Sequence, residues 1–247
     1  MELGPLEPLL PELLAGRPLA VLTGAGISAE SGLPTFRGPG GLWEGFRPEQ
    51  LATPQAFGAD PERVWRWYEW RRGLVREARP NAGHKALARM EQLLPRMTLA
   101  TQNVDGLHRA AGQRELVELH GSLLRTRCTA DGRVKRAPEG PFASLPPRCD
   151  CGALLRPDVV WFGETLDQAD WNAAARAAEG AAVFLVVGTS SVVAPASSLA
   201  MLAARAGAKV FEVNPEETPL APLADGVFRA GAAAVLPQIA RRLEAQV

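Results

Sequence analysis

The chain reads as an α/β domain built on a parallel sheet. Three observations predict this. Short apolar runs alternate with longer helical segments. The first run, Leu19-Ala20-Val21-Leu22, leads directly into Gly24-Ala25-Gly26. Polar residues suited to chemistry, Gln102-Asn103-Val104-Asp105 and His120, follow two other runs. In open α/β sheets ligands gather at the C-terminal ends of the strands.

The elements follow in order. Residues 19–22 lie between Pro18 and Gly24 and read as a buried strand. Asp60-Pro61-Glu62 opens a helix with a capping acid, a proline at the first position and a second acid. It runs to about Ala78, ahead of Pro80. Asn81 caps the next helix, which carries His84, Leu87 and Leu94. Strands are expected at Met97–Thr101, 116–119, Val183–Val187 and Lys209–Val213. The alanine-rich stretch 173–178 is a good helix former. Pro195 opens a helix over 196–205 and Gly207 closes it.

Two stretches interrupt the alternation. Residues 34–78 read as a loop followed by a helix. Residues 128–157 are rich in Pro, Arg and Gly and poor in periodic apolar positions, so something other than a core is expected to hold them. The expected organisation is therefore a Rossmann-like parallel-sheet domain over 1–33, 79–124 and 158–247. A small inserted domain combines a helical module (34–78) with a cysteine, zinc-ribbon-like module (125–157).

Bulk properties narrow the function. The 247 residues suit one large domain or one domain with an insertion, and 47% hydrophobic content supports a buried core. Lys plus Arg number 27, as do Asp plus Glu, so no broad electrostatic grip on nucleic acid or acidic membrane is expected. No apolar stretch is long enough to span a bilayer and no N-terminal segment has leader character. A cytoplasmic location is the expectation. Three cysteines, an odd count, disfavour a disulfide framework.

Gly24-x-Gly26-x-x-Ala29 fits the relaxed dinucleotide fingerprint. Taken alone, it fits either a tight strand-to-helix turn or a site where backbone N–H groups hold a pyrophosphate. The chain then enters a Gly/Pro-rich stretch through Gly45 instead of a second strand ending in an acid. That departs from the plain dehydrogenase pattern and places a loop where it can fold over a cofactor.

The string from Gly24 to Gly38 resembles the sirtuin family, the NAD-dependent protein-lysine deacylases. Five further segments match in family order: Thr101 to His108, Glu118-Leu119-His120-Gly121, Pro157 to Glu164, Gly188-Thr189-Ser190 and Val213-Asn214-Pro215-Glu216. Together they span nearly the whole chain.

The resemblance implies NAD as cofactor, acyl-lysine proteins as substrates, and His120, Asn103 and Asp105 as catalytic residues. In the family's chemistry the acyl oxygen attacks the anomeric carbon of the nicotinamide ribose and nicotinamide leaves. His120 takes a proton from a ribose hydroxyl, which attacks the resulting imidate. Free lysine and O-acyl-ADP-ribose follow. An imidazole with an ordinary pKa of about 6.5 suits that proton transfer. His84 and His108 read as packing or capping residues. The implied cofactor contacts are Gly24, Ala25, Gly26, Ser28, Glu30, Thr35, Phe36, Arg37, Trp43, Gln102, Asn103, Asp105, Gly188, Thr189, Ser190, Asn214, Pro215, Glu216 and Ala232. Val159, Val160, Trp161 and Phe162 would form the channel for the lysine stem, and also suit a core strand with alternating faces.

Sirtuins usually carry four zinc-ligating cysteines in the region of residues 125–157. Here Cys128, Cys149 and Cys151 are three, and Asp131 stands where the fourth is expected. A carboxylate can ligate zinc, so a site of three thiolates and Asp131 is chemically sound. Reduced, empty thiols are the alternative.

Tyr68 and Arg71 sit three apart on the helix opened by Pro61 and share a face. A phenol beside a guanidinium can grip a carboxylate. Among Trp65, Trp67 and Trp70 the tyrosine could equally be one more packing ring. The pair resembles the Tyr-x-x-Arg signature of sirtuins that remove succinyl, malonyl or glutaryl groups, and Thr35 replaces the aspartate most other members carry. The resemblance thus implies acidic acyl groups, with acetyl as a secondary substrate. Protein mono-ADP-ribosyl transfer and a non-catalytic NAD or acyl-lysine sensor are the rival functions. The oligomeric state is left open.

Overall fold

The computed structural model describes residues 3–35 and 47–247. The expected cofactor contacts Phe36, Arg37 and Trp43 lie outside the described residues. The strands are β1 (Leu19–Thr23), β2 (Met97–Thr101), β3 (Leu116–Glu118), β4 (Gly121–Cys128), β5 (Val134–Arg136), β6 (Leu155–Val159), β7 (Val183–Val187), β8 (Lys209–Val213) and β9 (Gly226–Phe228). The helices are α1 (Leu10–Leu14), α2 (Gly26–Ala29), α3 (Pro54–Ala59), α4 (Pro61–Glu77), α5 (Ala82–Leu93), α6 (Leu107–Ala110), α7 (Gln168–Glu179), α8 (Leu199–Arg205) and α9 (Ala232–Glu244).

The main sheet has the order β3-β2-β1-β7-β8-β9, and its neighbours pair in parallel. β1 is the pivot. The chain first builds outward through β2 and β3, then returns to add β7, β8 and β9 on the other side. The topological switch point therefore lies between β1 and β7, where a crevice opens at the C-terminal strand ends.

Both faces of this sheet are covered. Leu19, Val21, Val183, Leu185 and Val187 pack toward α5 and α9 through Leu87, Met90, Leu236 and Ile239. The alternate residues Ala20, Leu22, Phe184 and Val186 pack toward α7 and α8 through Ala174, Ala178, Leu199 and Ala203. That is why β1 and β7 are continuous apolar runs without a polar face.

The expected caps form. Asp60 accepts the Arg63 N–H at 2.9 Å and Asn81 accepts the Gly83 N–H at 2.9 Å. The helix expected over 196–205 begins instead as a 3-10 turn, Ala196–Ser198, before α8. Ser198 Oγ donates back to the Pro195 carbonyl at 2.7 Å, a local bond that competes with regular helix.

The inserted region carries its own antiparallel sheet, β5-β4-β6. β4 runs across residue 124, where the sequence suggested a module boundary. The region also has a core, contrary to the expectation for residues 128–157. Cys128, Cys149 and Leu155 pack with Trp65, Tyr68, Val159 and Trp161 in one apolar cluster. Trp65 Nε1 donates to the Leu155 carbonyl at 2.7 Å and ties α4 to β6. The aromatic side chains of the helical module supply the apolar volume that residues 125–157 lack.

Candidate active site

The crevice is built from the loops after β1, β2 and β7. Gly24, Gly26 and Gly188 bring the first and last of these loops into contact. A Cβ on Gly26 would lie 2.7 Å from Gly188 Cα, and one on Gly188 would lie 2.4 Å from Ile27 N. Gly188 also has φ +59, where side chains are strained. The sequence suggested that these glycines admit a bulky anion. Their missing side chains also let the two loops pack backbone to backbone, with Gly26 N–H donating to the Gly188 carbonyl at 2.7 Å.

Asn103 and Asp105 converge on Ser28. Both Asn103 Nδ2 hydrogens are held, by the Gly24 carbonyl and by Ser28 Oγ, each at 3.1 Å. Ser28 Oγ donates to Asp105 Oδ2 at 2.8 Å, and Asp105 Oδ1 accepts the Leu107 N–H. Burial raises the Asp105 carboxyl above the usual range; these two hydrogen bonds and the nearby Arg71 cation pull it back. Ala25, Ser28, Leu33, Pro34, Arg71, Leu74, Val75, Val104, Asp105 and Leu123 line an open cleft.

His120 is half-buried just after β3. Its Nδ1 lies 3.1 Å from the Gln102 carbonyl. A carbonyl only accepts, so Nδ1 carries the proton and Nε2 presents its lone pair. Burial lowers the imidazole pKa below its ordinary value. The site thus holds a neutral base of fixed tautomer.

Gln102 Nε2 donates to Thr189 Oγ1 at 3.0 Å, and Asn214 Nδ2 donates to the Thr189 carbonyl at 2.9 Å. Asn214 Oδ1 in turn accepts the Glu216 N–H. These contacts join the ends of β2, β7 and β8. Ser190, Pro215 and Glu216 are exposed beside them, and Thr35 is half-buried on the far loop. Two of the expected cofactor contacts also have structural roles. Glu30 Oε1 accepts the Ala233 N–H at 3.1 Å and so caps α9. Ala232 is buried in the core against α5.

Several residues were not anticipated. Thr23 and Thr101 end adjacent strands in register, and their hydroxyls bond at 2.8 Å. His108 Nε2 lies 2.9 Å from Thr23 Oγ1. His84 Nε2 lies 3.4 Å from Ser28 Oγ, and the two imidazoles are 4.8 Å apart. His84 therefore adjoins the site, although a helix position alone gave no sign of it. The paired threonines at strand ends were the available signal.

The two buried histidines predict an acid-sensitive fold. Burial pushes His84 down to about 4 and His108 down to about 3. Folded, both stay neutral; unfolded, both take a proton below about pH 6.5. The unfolded state then binds more protons, so their contribution is complete above pH 6.5 and drains as pH falls. At pH 5 each costs about 2 kcal/mol. Calorimetry from pH 7.5 to 5 should show a falling Tm, with a shallower fall in His108→Asn. Equal slopes in both proteins would contradict the assignment.

On α4, Tyr68 and Arg71 are both buried. The Arg71 guanidinium lies 4.8 Å from the Trp67 ring centroid and 5.5 Å from that of Tyr68. Tyr68 Oη accepts the Trp161 Nε1–H at 2.9 Å. Val159 is buried, Val160 half-buried and Phe162 exposed, so residues 159–162 supply both core and surface. The Val160 N–H donates to the His120 carbonyl at 3.0 Å, which sets this segment beside the base.

The sulfurs of Cys128, Cys149 and Cys151 lie within 4.8 Å of one another, with Cys128 and Cys151 at 3.6 Å. Thiolates about 2.3 Å from a tetrahedral zinc stand roughly 3.8 Å apart, so the spacing fits that ion. Asp131 borders this cluster at Cys128 rather than closing it. Its carboxylate takes the Arg133 N–H at 3.0 Å and Arg133 Nε at 2.6 Å.

Among the described residues no helix is long and apolar enough to cross a membrane. The fold and site define an α/β dinucleotide-binding protein with a crevice at the switch point, a neutral imidazole just after the edge strand β3 and an inserted cysteine module. The Sir2 family model matches residues 24–195, and the chain belongs to that family. It is 52% identical over 233 residues to NAD-dependent protein deacylase 2 of Pyrobaculum aerophilum, covering 94% of this chain and 93% of the relative. It is 54% identical over 232 residues to an NAD-dependent protein deacylase of Thermus thermophilus, covering 92% and 91%. The crystal structure of a Sir2 homolog–NAD complex superposes with a TM-score of 0.91 at 48% identity, covering 97% of this chain and 94% of that one.

Proposed function

We propose that the protein is an NAD-dependent protein-lysine deacylase that prefers acidic acyl groups, with acetyl-lysine as a secondary substrate. The observation that carries the catalytic part is His120, held with Nε2 unprotonated at the mouth of the crevice. NAD supplies a glycosidic bond whose cleavage releases nicotinamide. The chain's own residues bind and orient. Asn103 Oδ1 is the open end of an amide whose two hydrogens are already held, which suits it to a donor on the cofactor. Asp105, fixed by Ser28 and Leu107, suits a ribose hydroxyl. His120 Nε2 takes the proton from the hydroxyl that becomes the nucleophile. Gly188, Thr189, Ser190, Asn214 and Glu216 stand at the ends of β7 and β8, where the adenosine half would lie.

Arg71 supports the acyl preference. It places a guanidinium on the cleft wall beside Tyr68, where a carboxylate on the acyl chain would meet a positive charge and a phenol together. Protein mono-ADP-ribosyl transfer begins with the same bond cleavage. Adenine-labelled NAD separates the two: the deacylase puts the label on a released small O-acyl-ADP-ribose, whereas label retained on protein would support the transferase.

The cysteine module is proposed to hold one zinc ion through Cys128, Cys149 and Cys151. Asp131 is the candidate fourth ligand, with Arg133 orienting it. Purified protein should carry one equivalent of zinc and release it to a chelator more readily in Asp131→Ala. Absence of stoichiometric zinc would refute the site; equal release from both proteins would exclude Asp131.

A further inference from the structure

We infer that Arg156 and Glu164 form a clamp that positions Trp161, and that Trp161 in turn fixes the Tyr68 hydroxyl as a donor toward the acyl group. This rests on the acyl preference proposed above.

The clamp closes on the segment after β6. Arg156 Nη1 and Nη2 donate to the two oxygens of Glu164 at 2.5 and 2.8 Å, a bidentate pair. Arg156 Nη2 also donates to the Val159 carbonyl at 2.9 Å. Its guanidinium carbon stands 3.5 Å from the Trp161 ring centroid, close stacking for a cation on an indole. Glu164 Oε2 accepts the Trp161 N–H at 2.9 Å, and the Glu164 N–H returns to the Trp161 carbonyl at 3.0 Å. Trp161 is therefore held by its backbone and by one ring face. Phe57, with its centroid 5.3 Å away, adds a further ring contact.

The consequence lies at Tyr68. An indole N–H can only donate, so Trp161 occupies a lone pair of the phenol oxygen. The neighbouring Arg71 guanidinium also offers only donors. Among the described residues no acceptor takes the phenol's own proton. The hydroxyl is thus surrounded by donors, and its hydrogen remains for an acceptor brought by the substrate. A carboxylate on the acyl chain meets this need and the Arg71 charge together. An acetyl methyl meets neither. Were Trp161 to turn away, the freed hydroxyl could rotate and spend its proton on water, losing that bias.

Two variants test the relay. Trp161→Phe keeps a ring but removes the Nε1 donor. Glu164→Gln removes the charge that holds Arg156. The measured quantity is the ratio of kcat/KM for succinyl-lysine over acetyl-lysine peptide of the same sequence. Each variant should lower this ratio about fivefold, the worth of one neutral hydrogen bond, through a higher KM for the succinyl peptide. A merely structural role would reduce both activities together and leave the ratio unchanged. An unchanged ratio in both variants, with wild-type protein preferring succinyl, overturns the relay alone. A wild-type ratio near one overturns the acyl preference and the relay with it.

Discussion

His120→Ala is expected to lower deacylation by about 10²–10⁴-fold, the usual contribution of a positioned general base. NAD affinity should change by less than a few-fold, because the role proposed for the imidazole is proton transfer and not phosphate binding. The geometry gives the reason. Nδ1 is committed to the Gln102 carbonyl, so Nε2 is the nitrogen that can take a proton. Alanine leaves that carbonyl without its donor but does not disturb the loops after β1 and β7. The pH profile supplies a second readout. Burial lowers the His120 pKa, so the neutral, active form persists to lower pH than a free imidazole allows. Activity should fall only below about pH 6.5, as the base becomes protonated. Full activity in His120→Ala, or an acid limb centred above that value, would remove His120 from the base role.

Arg71→Met should reduce the succinyl-over-acetyl selectivity by about tenfold to a hundredfold, since a charge-assisted hydrogen bond contributes about 1.5–3 kcal/mol. Methionine retains a long apolar stem against Trp67, so packing is largely kept while the cation is lost. A second effect follows from the same charge. Arg71 helps hold the Asp105 carboxyl down against its burial. Without it, Asp105 should protonate at higher pH, so the acid limb of turnover should move upward for every acyl group. Competition between the two peptides in one reaction measures the first effect directly. A ratio equal to that of wild-type protein would exclude Arg71 as the selector.

Much of the main sheet was legible because its strands are buried on both faces. Residues of β1 and β7 form unbroken apolar runs, those of β2 and β8 are mostly apolar, and the structure keeps all four within a residue of expectation. α4 and α5 were legible from Asp60-Pro61 and Asn81, whose side chains do the capping. α9 was not, because Pro237 sits within it and its N-terminal partner, Glu30, lies some two hundred residues away in sequence. β4 and β6 were hidden for a different reason. They carry Arg125, Arg127 and Asp158, which pair with one another across the small sheet, so hydrophobic alternation is broken where ion pairs take its place. In the site, Asn103, Asp105 and His120 were visible as polar residues at strand ends. Ser28 as the hub of Asn103 and Asp105, His84 at its side and the Trp161 bond to Tyr68 depend on contacts more than fifty residues apart. No local pattern records such contacts.

The most direct test of the central claim offers the protein a mixture of succinyl-, malonyl-, glutaryl- and acetyl-lysine peptides with NAD, and follows every product by mass. The account predicts NAD-dependent appearance of unmodified lysine peptide, nicotinamide and O-acyl-ADP-ribose in equal amounts, fastest from the acidic acyl groups. Persistence of every acyl peptide in the presence of NAD would contradict it.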